Sequence, residues 1–350
     1  MAVFSVNNIA IKGISCCVPK QTERNIDLDI LTQEEVRKFI DVTGVEERRI
    51  AADEICTTDL CCEAAEKLIK ELNWQKEEIE ILVFVSQTSD YILPISAAIL
   101  QDRLGLSTNC IAFDVPLGCS GYVYGLSILS GMMQTTGIKK GLLLAGDTIS
   151  KIISKTDKST LPLFGDAGSA TALEFAANAQ LSFDLGSDGS GYKTIIVPDG
   201  GSRNRINNDS LKVQTIEKGI ERSACDLVLD GMDVFSFGIT QGPKTVNKLI
   251  EAFEIDKDQV DYFVFHQANM MMNKMIAKKL KLPIEKVPYS LKNFGNTSSA
   301  TIPLTIVSEI KEAVLNKPSN LIMCGFGVGL SWGTMFAKDC KIECLELIEV

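Results

Sequence analysis

The chain repeats one of its own patterns. IEILVFVSQT at residues 79–88 has a counterpart, VDYFVFHQAN at 260–269, roughly 180 residues further on, and each follows an acidic helix end. LLLAGD (142–147) matches LIMCGF (321–326) at nearly the same offset. Between these pairs, VPYSLKNFGNTSSATIPLTIVSEI (287–310) repeats the strand, Gly-bearing turn and helix of FDVPLGCSGYVYGLSILSGMMQ (113–134). A chain with this pattern is confined to two copies of one α/β unit, because each copy must bury the same apolar faces in the same way. We place the first copy at residues 1–178, a Gly-, Ser- and Asn-rich connection that is mostly loop at 179–215, and the second copy at 216–350.

The elements between the repeats alternate. TTDLCCEAAEKLIKEL (57–72) begins with capping residues and carries apolar positions at helical spacing; a buried strand (78–90) runs into a polar loop, and PISAAILQDRLG opens the next helix. After the buried strand CIAFDVPL, Tyr122, Val123, Leu126, Leu129 and Met133 recur at helical spacing, which sets Cys119 at a strand-to-helix junction between Gly118 and Gly121. The N–H groups and positive dipole end of that helix are expected to lower the thiol pKa and favour a thiolate, a nucleophile for acyl groups. The glycines leave the sulfur uncrowded, unlike the other ten cysteines read as packing residues. His266 is the only histidine and sits at the end of strand DYFVFH, where α/β sheets open on ligand crevices. Asn296 stands on a Gly-bearing turn before a helix. Alone it would read as an ordinary turn or capping Asn.

Composition narrows the function classes. Of 350 residues, 45% are hydrophobic and 23% charged, as in an α/β enzyme. A formal charge of −10 argues against nucleic acid as a partner. No apolar run reaches membrane-span length and no secretory leader opens the chain, so a cytoplasmic protein is expected; eleven cysteines without even spacing agree with a reducing compartment. No C-x-x-C occurs and one His cannot complete a zinc site; no dinucleotide fingerprint or P-loop is present, so no cofactor is expected. Gly329-Leu330-Ser331-Trp332-Gly333 matches the G-x-S-x-G nucleophile elbow, but no His follows Ser331 to complete that triad. The order Cys, His, Asn is also that of papain-like proteases, whose C-G-S-C-W context is absent.

FDVPLGCSGYVYGL, FHQAN, NFGNTSSATIP and GFGVGLSWG resemble, in order, the four signatures of the thiolase-fold condensing enzymes, and specifically the 3-oxoacyl-[acyl-carrier-protein] synthase III family. TGVEERRIA (43–51), LFGDAGSATAL and LGSDGSGY extend the resemblance over nearly the whole chain. It implies a five-layered αβαβα fold, a homodimer, and a triad mapping onto Cys119, His266 and Asn296, with an oxyanion hole from the backbone N–H groups of Cys119 and Val328. It implies condensation of an acyl primer, carried by coenzyme A or acyl carrier protein, with malonyl-acyl carrier protein, in fatty acid or related acyl-chain synthesis. By the same resemblance, the loop QTSDYILPISAA (87–98) reaches across the dimer, with Leu93 closing the partner's acyl pocket.

The sequence also departs from the family. Lys38 and Val42 stand where members carry Trp and Arg, Ser236 where they carry Lys, and Met271 where they carry Arg, which puts the acyl donor and carrier docking in question. Lys274 and Lys278, four apart on the helix after His266, are the replacement docking candidates, with the methionines of that segment facing inward. Two further readings stay open: a condensing enzyme of a specialised pathway with a donor other than coenzyme A, and a non-decarboxylating acyltransferase that needs Asn296 less. A non-catalytic subunit would have lost the nucleophile, and Cys119 is present.

Overall fold

A computed structural model describes residues 2–350. Nine strands form one mixed sheet: β1 (Ala2–Val18), β2 (Ile81–Val85), β3 (Ile111–Val115), β4 (Lys140–Asp147), β5 (Ala167–Ser187), β6 (Tyr262–Phe265), β7 (Ser319–Gly327), β8 (Ser331–Cys340) and β9 (Cys344–Glu349). The sheet has two wings. In one, β3, β2 and β4 run parallel and β5 closes antiparallel on β4. In the other, β6 and β7 run parallel and β8 returns antiparallel to β7.

The wings are joined by the two longest strands. Residues 168–175 of β5 pair with 9–17 of β1 in the first wing, and residues 181–185 pair with 2–6 in the second, with a register shift between Asn7 and Ile9. Such an irregularity bends a strand and lets it pass from one wing to the next. β5 runs through residue 178 and continues to Ser187, so the first part of the 179–215 connection is strand and joins the ladder with β8.

Helices fill three layers around the wings. α1 (Gln33–Thr43) lies before the first wing, closed by a Thr32–Glu35 capping box. α2 (Thr57–Glu71) and α3 (Ser96–Arg103) cover the outer face of the first wing. α4 (Gly121–Thr136) and α7 (Thr301–Glu309) lie between the wings, and α5 (Gly231–Ala252) and α6 (Met270–Leu280) cover the second wing from outside. The sequences match these places. In α7 every residue from Thr301 to Val307 is buried, as a helix apolar on all sides requires, whereas α6 alternates buried Met272, Ile276 and Leu280 with exposed lysines. Tyr122, Val123, Leu126, Leu129 and Met133 of α4 are buried as their spacing predicts, at about 1.5–3 kcal/mol each. Both central helices begin at the same end of the molecule, which places their leading turns side by side.

Candidate active site

Cys119 stands two residues ahead of α4, in the turn that leaves β3. The end of β7 passes directly against it. A Cβ added to Gly327 would lie 2.6 Å from Cys119 Cβ and 2.7 Å from Sγ, so only glycine leaves the sulfur its place. His266 follows the last residue of β6 and extends its ladder, its N–H donating to Cys324 O at 2.8 Å. Asn296 is held by its backbone on both sides: its N–H donates to Leu163 O at 2.9 Å and its carbonyl accepts from Gly165 at 3.1 Å. Gly295 makes that turn with φ +63°, and a side chain there would strike Leu163 O at 2.7 Å.

These three side chains and Val328 line one cavity of about 410 Å³, whose further walls are largely apolar, including Phe39, Ile149, Ile152, Leu229 and Met272. Cys119 is partly accessible, while His266 and Asn296 are buried. The backbone N–H groups of Val328 and Cys119 both point at the Cys119 sulfur. His266 Nδ1 meets Thr301 Oγ1 at 2.8 Å, and Asn296 Oδ1 accepts from the Ser298 N–H at 2.9 Å. His266 Nε2 and Asn296 Nδ2 make no hydrogen bond to the described residues, which leaves them to groups in the cavity.

The electrostatics overturn one sequence expectation. The Cys119 thiol is not lowered by its place ahead of a helix; burial pushes it up to about 12, and the nearby Asp147 carboxylate adds to the rise. The Val328 and Cys119 N–H groups act in the other direction, but desolvation of the sulfur outweighs them. At neutral pH the resting group is therefore a thiol. Burial also lowers His266 to about 3, so the imidazole is neutral. Asp147, at the end of β4, is wholly buried and gathers loops from both halves: Ser86 Oγ, the Gln87 N–H and Thr88 Oγ1 donate to Oδ1, and the N–H and Oγ of Ser299 donate to Oδ2. Burial raises its carboxyl above the usual range.

The other sequence candidates lie outside the cavity. Leu93 is 80% exposed in the loop before α3 and does not line the pocket of its own chain. Lys274 and Lys278 are exposed on α6, whose leading residues Asn269 and Met272 reach the cavity wall. Met272 packs inward, but Met271 is 44% exposed, which corrects the expectation that the methionines of this segment all face the core. Ser331, the false elbow serine, is buried and spends its hydroxyl on Val328 O at 2.7 Å. Asp147, Gln87 and Ser298 were missed in the sequence. Asp147 could have been found, since an Asp closing the apolar run LLLAGD needs a buried partner set; nothing local marks the other two.

Among the described residues no helix is long and apolar enough to cross a membrane, and no group of three or more His, Cys, Asp or Glu could hold a metal.

Residues 113–189 match the family described as 3-Oxoacyl-[acyl-carrier-protein (ACP)] synthase III, and residues 250–338 match its C-terminal counterpart. Beta-ketoacyl-[acyl-carrier-protein] synthase III of Clostridioides difficile (strain 630) is 32% identical over 94% of this chain and 97% of its own. The protein of the same name from Clostridium acetobutylicum is 33% identical over 96% of this chain and 100% of its own. The crystal structure of 3-oxoacyl-(acyl-carrier protein) synthase from Burkholderia xenovorans LB400 superposes with a TM-score of 0.93 at 39% identity, covering 99% of both chains. The five layers are those of the thiolase fold, and the chain belongs to the 3-oxoacyl-[acyl-carrier-protein] synthase III family of acyl-transferring condensing enzymes.

Proposed function

We propose that the protein condenses an acyl thioester primer with malonyl-acyl carrier protein, with loss of CO2, to give a 3-oxoacyl-acyl carrier protein in fatty acid or related acyl-chain synthesis. The observation that carries this reading is the joint placement, in one cavity, of a thiol faced by two backbone N–H groups and of two free side-chain nitrogens, on His266 and Asn296.

The sulfur of Cys119 attacks the primer carbonyl and gives up its proton. The oxyanion forms where the Val328 and Cys119 N–H groups point, and the primer's own thiol leaves, protonated. Malonyl thioester then enters; its carboxylate departs as CO2, and the C–C bonding pair becomes an enolate whose oxygen accepts from Asn296 Nδ2 and from His266 Nε2–H. That tautomer requires the Thr301 hydroxyl to turn its one proton from Ser298 O to His266 Nδ1, both of which lie within hydrogen-bond reach. A neutral His suits this donor role, because CO2 loss supplies the carbanion and no base is needed. The carbanion attacks the acyl-Cys119 carbonyl, and collapse expels the Cys119 thiolate, which takes up a proton.

The surroundings of the cavity favour a donor other than free coenzyme A. Lys38 pairs with Glu34 at 2.6 Å on the outer surface of α1, Val42 and Met271 are exposed and apolar, and exposed Ser236 carries no charge. Lys274 and Lys278 would supply the attraction for an acidic carrier, and exposed Leu93 would reach the acyl pocket of a partner subunit in a homodimer. Incubation with malonyl-acyl carrier protein and a panel of acyl-CoA and acyl-carrier primers, followed by CO2 release and product mass, tests the reading. Matched CO2 and 3-oxoacyl product supports it; acyl transfer without CO2 would make the protein a non-decarboxylating acyltransferase.

A further inference from the structure

Asn296 and His266, the two groups that would bind the enolate oxygen, depend on one short turn. Asn296 Oδ1 accepts from the Ser298 N–H at 2.9 Å, which leaves the carboxamide nitrogen for the cavity. The carbonyl of the same residue, Ser298, accepts from the Thr301 N–H and lies 3.0 Å from Thr301 Oγ1. Thr301 Oγ1 in turn stands 2.8 Å from His266 Nδ1 and is the one hydrogen-bond partner of the imidazole among the described residues. Ser298 has φ +52°, and with this left-handed backbone its N–H serves Asn296 while its carbonyl meets the start of α7. Thr301 and His266 are each 1% exposed, and Phe326 meets the imidazole edge-on at 5.9 Å, so water does not compete for Nδ1.

The Thr301 hydroxyl has one proton and two acceptors within reach. Ser298 O does not require it, because the Thr301 N–H already serves that carbonyl. Nδ1 has no other donor, and a buried nitrogen left unpaired is costly. The opposite arrangement, with Nδ1–H donating to the hydroxyl, turns a bare Nε2 lone pair towards the oxygen of a bound thioester, where it repels instead of donating. Which ring nitrogen carries the proton is set by the hydrogen bond that the other one makes.

We propose that Thr301 is the positioning residue of the decarboxylation half-reaction: its hydroxyl donates to Nδ1 and keeps the His266 proton on Nε2, beside the Asn296 donor that the same turn orients. Thr301 does not line the cavity and acts only through His266. Loading of Cys119 asks nothing of Nε2–H, so the effect of Thr301 is confined to the step in which CO2 leaves.

The inference rests on His266 serving as an enolate donor, and the test separates the two claims. The unaltered protein, Thr301→Val, Thr301→Ser and His266→Ala are compared by acyl occupancy of Cys119, read by intact mass, and by CO2 release from malonyl-acyl carrier protein. The tautomer is read by long-range proton–nitrogen correlation of the imidazole, which needs no assignment in a chain with a single histidine. Valine keeps the shape of Thr301 and removes the hydroxyl; serine keeps the hydroxyl. The unaltered protein and Thr301→Ser should carry the proton on Nε2 and release CO2 alike. In Thr301→Val the Ser298 carbonyl, an acceptor, is left to Nδ1 and draws the proton there, so CO2 release should fall on the order of a hundredfold while Cys119 still loads fully. A proton on Nδ1 in the unaltered protein would overturn the inference. So would a Thr301→Val protein that keeps the proton on Nε2, releases CO2 at the unaltered rate, or loses acyl loading in equal measure, or a serine variant that fails to restore CO2 release. His266→Ala releasing CO2 at the unaltered rate would instead remove the donor from the mechanism proposed above, whatever the tautomer.

Discussion

The two halves build the same junction and use it differently. In the first, a Gly118–Cys119 turn leads into α4; in the second, a Gly295–Asn296 turn leads towards α7, and in both the residue after the glycine faces the cavity. The strand ends differ in a complementary way. β2 ends at Val85 and passes to residues 86–88, which wrap Asp147, whereas β6 ends at Phe265 and passes to His266. At the end of β4 stands Asp147; at the matching place in β7 stands Phe326, whose ring meets His266 edge-on at 5.9 Å. One half thus presents a sulfur near a buried carboxylate, and the other presents neutral N–H donors in an apolar setting. Duplication supplies two equivalent positions in one cavity, and divergence of single residues puts a thiol at one and a carboxamide at the other.

That contrast can be broken first at the nucleophile. Cys119→Ala should abolish acyl transfer, read as absence of an acyl adduct by intact mass after donor incubation. The interface between the halves comes next. Gly327→Ala forces the second half's strand against the first half's sulfur, and should slow acyl loading by about a hundredfold through misplacement of the nucleophile. Its cost to the fold should be about 1–3 kcal/mol in chemical denaturation. If loading is unchanged, the close approach at Cys119 has no catalytic consequence.

Smaller effects test the outer layers. Reversing Lys274 and Lys278 together to Glu should raise KM for malonyl-acyl carrier protein severalfold and flatten its salt dependence, with a small malonyl thioester unaffected. Equal loss with both donors would place the defect in the site. Gly131 of α4 has no atom within 4 Å of an added Cβ, so Gly131→Ala should stabilise the protein by about 0.5–1 kcal/mol without altering either half-reaction.

Much of this was legible in the residues because it is written locally. The helical spacing after Cys119, the strand at 81–85 and its repeat at 262–265, and the Gly-flanked turns each follow from neighbours in sequence. The thiol's rise to about 12 was not legible, since it comes from burial by parts of the chain far apart, against a local expectation of the opposite sign. Ser298 was missed for a related reason: its left-handed φ and its place on the cavity wall exist only once both halves are packed. The passage of β5 through residue 178 was hidden by its middle, AANAQ (176–180), whose small and polar residues carry no apolar alternation although their backbone stays in the sheet.

The division of labour between the halves is tested most directly by running the two half-reactions side by side on Asn296→Ala. The account predicts full acyl occupancy of Cys119 by intact mass, with CO2 release from malonyl-acyl carrier protein reduced about a hundredfold, the cost of one lost oxyanion donor. Undiminished CO2 release, or a loss of acyl loading equal to the loss of decarboxylation, would contradict it.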